Sequence, residues 1–303
     1  MRRSPVEVPF QHLPVDQSDV RYLHGPDSLR LPGVPAGRTI EFDWADSAIY
    51  PGTFRKFWVH LPAHYEPTQP AALLVFQDGW WNLDPAGEVR AGIVLDNLIH
   101  RGDIPPMIGV FVDPGSMPDG AGAGGGPGGG GSGTGDGLER RQRNVEYDAF
   151  DDRYANLLLN EIIPQVTERF SITDDPDQWG ICGISSGGNC AFTVAWLRPD
   201  RFRRVLCCLS SFVQMPTGNP YPQLIRDTLG RPLRVFLQAG HRDINWNEPE
   251  DNWFASNLRI AAALAEAGYD FRLVLGDGGH HPNHPGVLLP DALRWLWRPP
   301  DPG

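Results

Sequence analysis

The sequence predicts an α/β protein: a mostly parallel sheet of about eight strands with helices on both faces. Three observations carry this reading. Two stretches at 38–44 and 55–61 alternate apolar with polar residues, at least in part, as half-buried antiparallel strands do. From residue 71 onward, strand-length apolar runs are separated by helical patterns. A turn of glycines and serines at 183–188 joins one such run directly to a helix.

Taken in order, residues 1–37 are rich in Pro, Asp and Gly and lack sustained periodicity, which predicts an extended N-terminal arm. Residues 38–303 then form one catalytic domain. Ala71 to Phe76 and Met107 to Val112 are nearly continuous apolar runs, suited to central strands covered on both faces. Between them Val89 with Ile93, Val94 with Leu98 and Leu95 with Ile99 pair at helical spacing around much of the circumference, which predicts a largely buried helix. Residues 115–138 include AGAGGGPGGGGSGTGDG. Gly120, Gly122 and Gly125 satisfy G-x-G-x-x-G, but no helix can follow in that composition, so a dinucleotide site is excluded. A disordered surface insertion is expected instead. A helical stripe runs from Tyr154 through Leu157, Leu158, Ile162 and Val166, with a kink expected at Pro164. Apolar runs at 204–209, 233–238 and 271–275 supply the last strands. Helical patterns at 224–229, through Phe254, Leu258, Ala261 and Leu264, and at 288–297 supply the last helices.

A net charge of −11 argues against a nucleic-acid surface, which needs a basic patch. Met1-Arg2-Arg3 is followed by no apolar stretch of a signal peptide, and no run approaches the roughly 18 residues of a membrane span. Cys182, Cys190, Cys207 and Cys208 lie in apolar strand or helix patterns and read as buried reduced thiols, which predicts a cytoplasmic protein without membrane partners.

The turn Gly183-Ile184-Ser185-Ser186-Gly187 carries the chemistry. G-x-S-x-G between a strand and a helix is the nucleophile elbow of α/β hydrolases, whose tight turn requires small residues two before and two after the serine. Ser186 or Cys182 as nucleophile would need glycine at Ile184, so the register selects Ser185. Such a hydrolase needs an acid after a later strand and then a histidine after the last. Asp243 lies in the loop after the seventh predicted strand, where Glu248, Glu250 and Asp251 compete for the same role. His280 follows the eighth and stands nearest the strand end, ahead of His281 and His284. The imidazole takes the serine proton, and the carboxylate fixes its tautomer and stabilises its charged form. These three histidines with Asp277 also offer donors to a metal, but the elbow makes acyl chemistry the expectation, with no cofactor and no metal. An oxyanion needs preorganised N–H donors: the amide of Ser186, and one from the loop Asp78-Gly79-Trp80-Trp81. Trp80, Trp81, Trp246 and Trp253 all fall near the carboxyl ends of strands, where they serve packing or a cleft for an aromatic acyl group.

Five stretches make the chain resemble the enterochelin-esterase-like group of esterases, the esterase D family of the α/β hydrolases. They are VFQDGWW at 75–81, RNVEYDAFDDRYANLLLNEIIPQV at 143–166, GISSGGNCAFTVAW at 183–196, LQAGHRDINW at 237–246 and GDGGHHPNHPGVLLPDALRWLW at 276–297. The resemblance implies a serine carboxylic-ester hydrolase with Ser185 as nucleophile, His280 as base and Asp243 as acid, acting on a small-molecule ester. It implies Trp80 as the second oxyanion donor and places Trp81, Arg143, Trp246 and His284 as candidate substrate contacts. Two departures weigh against a trilactone siderophore substrate. The arm before Arg38 is too short for the β-rich N-terminal domain of siderophore esterases, and the Gly-rich insertion interrupts the segment before Arg143. The alternatives are acyl transfer of the antigen-85-like type, or a binding protein that keeps the fold without catalysis.

Replacing residues 118–136 with a short Gly-Ser linker is expected to leave the melting temperature nearly unchanged, because lengthening a flexible loop costs little. A large drop on thermal unfolding would show that the segment packs.

Overall fold

A computed structural model describes residues 20–117 and 141–299. Residues 1–19 of the expected arm, and nearly all of the expected Gly-rich insertion, lie outside the described residues.

The chain enters through a single 3-10 turn at Pro26–Ser28 and then lays down β1 (Arg38–Trp44), β2 (Arg55–Leu61) and β3 (Ala72–Gln77). Two helices follow, α1 (Gly79–Leu83) and α2 (Ala91–Arg101), before β4 (Met107–Val112). After the insertion come α3 (Arg141–Tyr147) and α4 (Arg153–Leu157), then a π turn at Leu158–Ile162 and α5 (Ile163–Thr167). The remainder is β5 (Trp179–Ile184), α6 (Ser186–Leu197), β6 (Arg204–Cys208), α7 (Tyr221–Asp227), β7 (Arg234–Gly240), α8 (Trp253–Glu266), β8 (Asp270–Gly276) and α9 (Asn283–Leu296). The eight strands form one sheet in the order β1-β2-β4-β3-β5-β6-β7-β8. Only the β1–β2 and β2–β4 pairs are antiparallel.

The uninterrupted apolar runs divide their side chains between two cores, because alternate residues of a strand face opposite ways. Leu73 and Val75, Ile108 and Val110, Val205 and Cys207 join the core under α4 to α8. Leu74 and Phe76, Met107 and Phe111, Leu206 and Cys208 join the core under α2 and α9. Burial on both faces explains why these strands lack alternation, whereas the edge strand β1, with one face in water, keeps it. The kink expected at Pro164 takes the form of the π turn directly before it: the proline has no N–H to give the helix, and the wider turn absorbs the break. α3 was not anticipated, because its seven residues RQRNVEY carry no apolar stripe.

The described part of the arm is packed rather than loose. Asn97 donates to the carbonyls of Asp27 and Leu29, and Arg30 pairs with the buried Asp96 at 2.7 Å. All four cysteines are free and buried, and no described helix is long and apolar enough to cross a membrane.

One ion pair is sealed in the interior. Arg55 of β2 meets Glu146 of α3 through two bonds of 2.8 and 2.9 Å, both side chains fully buried. Removing one partner strands the other charge. Arg55→Ala is therefore expected to cost roughly 3–5 kcal/mol in chemical denaturation. A loss below about 1 kcal/mol would mean that water reaches Glu146.

Candidate active site

The carboxyl ends of β3, β5, β7 and β8 converge on one cluster. At the end of β5 the chain reverses into α6 through Ser185, whose φ of 63° and ψ of −129° lie outside the regions open to ordinary residues. The reversal is so close that a Cβ on Gly183 would stand 2.1 Å from the Gly187 carbonyl oxygen. The Ser185 amide is held by the Cys208 carbonyl at 2.9 Å, and its own carbonyl accepts from Ser211 at 3.2 Å, so β6 and the loop after it clamp the strained residue from both sides.

Three of the predicted residues are brought together. His280 Nε2 lies 3.0 Å from Ser185 Oγ, and His280 Nδ1 lies 2.6 Å from Asp243 Oδ1. Asp243 is fully buried and also accepts from the Ile244 amide at 2.7 Å, which fixes the carboxylate beside the ring. The rivals Glu248, Glu250 and Asp251 are exposed. Trp253, at the start of α8, meets the His280 ring edge-on at 4.9 Å between centroids. The other two histidines of the loop turn elsewhere. His281 Nδ1 is 2.9 Å from Arg21, and burial, then the Arg21 charge, lower its pKa. His284 is lowered by burial; it stacks on Tyr22 at 4.3 Å and lies 3.0 Å from Gln238 Nε2. Among the described residues, no group of three or more His, Cys, Asp or Glu side chains is arranged to hold a metal.

Ser186 opens α6, so its amide has no partner within the helix. Its side chain is not idle either: the hydroxyl donates to Asp148 at 3.0 Å. Trp80 differs from expectation. Its amide donates to Asp113 Oδ1 at 3.2 Å, because Asp78 adopts a left-handed conformation and turns the amides opening α1 toward that carboxylate. Trp80 is half-exposed and packs obliquely on Trp58, and Trp81 lies partly buried against the second core. Arg143 is not free for substrate. Its guanidinium grips Asp78 with two bonds of 2.7 Å beneath the elbow. Burial opposes that charge, but the Asp78 carboxylate outweighs it and raises the Arg143 pKa. Trp246 is half-exposed, with the Arg242 guanidinium 3.7 Å over its ring.

Sequence reasoning missed Asp148 and Asp113. Asp148 is buried and collects four neutral donors, from Asn144 at 2.5 Å, Ser186 at 3.0 Å, Asn189 at 3.3 Å and Ser211 at 2.6 Å. It ties α3, α6 and the loop after β6 together directly under the serine. An isolated aspartate in a polar stretch carries no periodic signal; the nearest hint was its place within the family-like stretch 143–166.

Asp113 is pushed up to about 6, by burial first and then by the neighbouring Asp78 charge. A carboxyl raised in the folded state is held more tightly with its proton, so its contribution to stability is greatest below about pH 4 and falls as pH rises through 6. Asp113→Asn removes that loss. The variant is expected to gain stability relative to wild type by about 1–3 kcal/mol between pH 4 and pH 7. Parallel stability curves for the two proteins over this range would refute the assignment.

Known proteins share this arrangement of elements. A family described as "Putative esterase" matches residues 49–281. Iron(III) enterobactin esterase of Dickeya dadantii (strain 3937) is 26% identical over 307 aligned positions, covering 96% of this chain but 62% of that protein. The chain therefore spans less than two thirds of that relative's length. Among solved structures, enterobactin esterase from Shigella flexneri superposes with a TM-score of 0.67 at 21% identity, covering 90% of this chain and 62% of the other. A ferulic acid esterase from Anaeromyces mucronatus superposes at 0.65 with 16% identity, covering 88% and 93%. At these identities the two superpositions speak to the fold, which is that of the α/β hydrolases. The match over 49–281, which takes in the elbow and the Asp243 and His280 loops, makes this chain a member of the esterase family.

Proposed function

We propose that the protein is a serine carboxylic-ester hydrolase working through Ser185, His280 and Asp243 and an acyl-enzyme intermediate. The observation that carries this is the unbroken line of hydrogen bonds from Ser185 Oγ to His280 to Asp243, at 3.0 and 2.6 Å. In this reading Ser185 Oγ attacks the ester carbonyl carbon while its proton passes to His280 Nε2. Asp243, on the opposite ring nitrogen, stabilises the resulting imidazolium and keeps the tautomer correct. The tetrahedral oxyanion takes a hydrogen bond from the Ser186 amide at the positive end of α6. The Trp80 amide joins it only on leaving Asp113. Collapse expels the alcohol, which takes the proton from His280 Nε2. Water then enters, gives a proton to the same nitrogen, attacks the acyl carbon and releases the acid with Ser185 restored. Trp253 keeps the ring upright through both halves.

The substrate is a small-molecule ester. The relatives named for iron(III) enterobactin and ferulic acid mark the range of ester chemistry served by proteins of this fold. Four buried free thiols accord with a reducing compartment, and on that ground we place the protein in the cytoplasm.

Ser185→Ala is expected to lower kcat/KM on p-nitrophenyl esters by roughly 10⁴-fold or more with the fold unchanged, and to abolish labelling by a fluorophosphonate probe. Asp243→Asn is expected to cost a comparable factor in kcat. Ser186→Ala, which keeps the amide and loses one bond to Asp148, is expected to cost far less. A Ser185→Ala protein that still hydrolyses esters at the wild-type rate would sink the reading.

A further inference from the structure

His280 stands in the loop 277–282, which joins β8 to α9 and opens Asp277-Gly278-Gly279. Glycine leaves a backbone many conformations, and Gly278 sits at a φ of 113°, so this sequence does not fix the loop by itself. The loop after β7 holds the first part of it. The His241 amide donates to the Gly276 carbonyl at 3.0 Å, and the Arg242 amide to the Gly278 carbonyl at 3.1 Å. Both bonds lie ahead of His280 in the chain.

One residue of the arm reaches both ends of this loop. The Tyr22 hydroxyl accepts from the Asp277 amide at 2.8 Å and donates to the Asp277 carbonyl at 3.2 Å. The Tyr22 amide donates to Asn283 Oδ1 at 2.6 Å, and the Tyr22 carbonyl accepts from Asn283 Nδ2 at 3.1 Å. The ring stacks on His284 at 4.3 Å. Tyr22 thus bridges the residue before the loop's glycines to the first residue of α9, with His280 between them. The bridge has its own anchor at Glu88. Asn283 also donates to Glu88 Oε2 at 3.0 Å, Arg21 donates to Glu88 Oε1 at 2.8 Å, and His24 Nε2 lies 2.7 Å from the Glu88 carbonyl. Tyr22 lies outside the stretch 49–281 shared with the esterase family.

We infer that Tyr22 is a positioning residue for His280: by tying both ends of the loop 277–282 it keeps the imidazole in line between Ser185 and Asp243. The ring's bonds of 3.0 and 2.6 Å leave little slack, and a misplacement of about 1 Å at a reacting group can cost about 100-fold in rate. The effect on rate rests on the esterase reading, whereas the effect on the geometry of the ring stands apart from it. Tyr22 touches neither Ser185 nor His280, so it acts through the loop alone.

The test compares three variants of the full chain, each shown by circular dichroism to be folded well below its melting temperature. Tyr22→Ala is expected to lower kcat on a p-nitrophenyl ester by about 10- to 100-fold, with KM held within about twofold. Tyr22→Phe keeps the stack and the backbone bonds but loses both hydroxyl bonds to Asp277, and is expected to cost only about 3- to 10-fold. Arg30→Ala is the control. It loosens the same arm where Arg30 pairs with Asp96 of α2, away from the loop, and is expected to lower the melting temperature while leaving kcat within about twofold of wild type. A second readout needs no substrate. The proton that His280 Nδ1 gives to Asp243 at 2.6 Å resonates far downfield in a proton NMR spectrum. That resonance is expected to broaden or move in Tyr22→Ala and to stay in Arg30→Ala. An unmoved resonance in Tyr22→Ala, a change confined to KM, or an equal loss of kcat in Arg30→Ala would overturn the inference. If the wild-type protein neither labels with a fluorophosphonate nor hydrolyses esters, the esterase reading falls, and the resonance alone decides whether Tyr22 places the ring.

Discussion

Everything in the site depends on the contact between Gly183 and the Gly187 carbonyl. Only when those two backbones lie this close can β5 reverse directly into α6, and only then does Ser185 stand at a strained φ of 63° with its hydroxyl clear of both elements. A strained residue of this kind costs about 1–3 kcal/mol and persists only where its surroundings over-determine it. Here they do so through β6 and the loop that follows it. Cys208 holds the amide of Ser185, Ser211 holds its carbonyl, and a Cβ on Gly188 would strike the Ser210 hydroxyl at 2.4 Å. The strain at the serine is thus offset by the parallel pairing of β5 with β6, which is itself set by the apolar content of both strands.

A second layer of support comes from α3 and the residue that follows it. Arg143 reaches Asp78 at the end of β3, Glu146 reaches Arg55 on β2, and Asp148 reaches Ser186, Asn189 and Ser211. One short segment with no apolar stripe therefore locks three regions of the sheet to the elbow through buried charge. Such contacts add little net stability over an apolar core of the same shape, but a misplaced partner is costly, so they fix geometry more than they add energy. That trade suits a site in which a shift of about 1 Å matters.

The elements with strong periodicity or long apolar runs were legible in the sequence. All eight strands lie within about two residues of where their runs place them, since burial on both faces leaves few other conformations for such runs. Ser185, Asp243 and His280 were legible for a different reason: each sits next to a strand end, and the elbow demands small residues at fixed offsets. What could not be read was held by tertiary contact. Asp148 and Asp113 are single acids in polar stretches whose roles exist only after folding brings donors to them. The commitment of Arg143 to Asp78 was hidden for the same reason, since the two are separated by 65 residues. For the Trp80 amide, a motif gives the position but cannot say that a carboxylate from β4's end has claimed the proton.

The loop that carries His280 shows how placement of one imidazole is shared among distant segments. From the inside, Trp253 braces the ring and Asp243 fixes its Nδ1. From the outside, the arm does comparable work: the Tyr22 hydroxyl accepts from the Asp277 amide at 2.8 Å, and Asn283 bonds the Tyr22 backbone through both its oxygen and its nitrogen. Between them stands His284, stacked on Tyr22, bonded to Gln238, and so close to β8 that a Cβ on Gly276 would sit 2.2 Å from its ring. These contacts tie the loop that carries His280 to the arm and to β7. The arm that composition marks as extended is therefore tied into the scaffold at Tyr22. The orientation of the imidazole rests on residues more than 250 positions away in the chain.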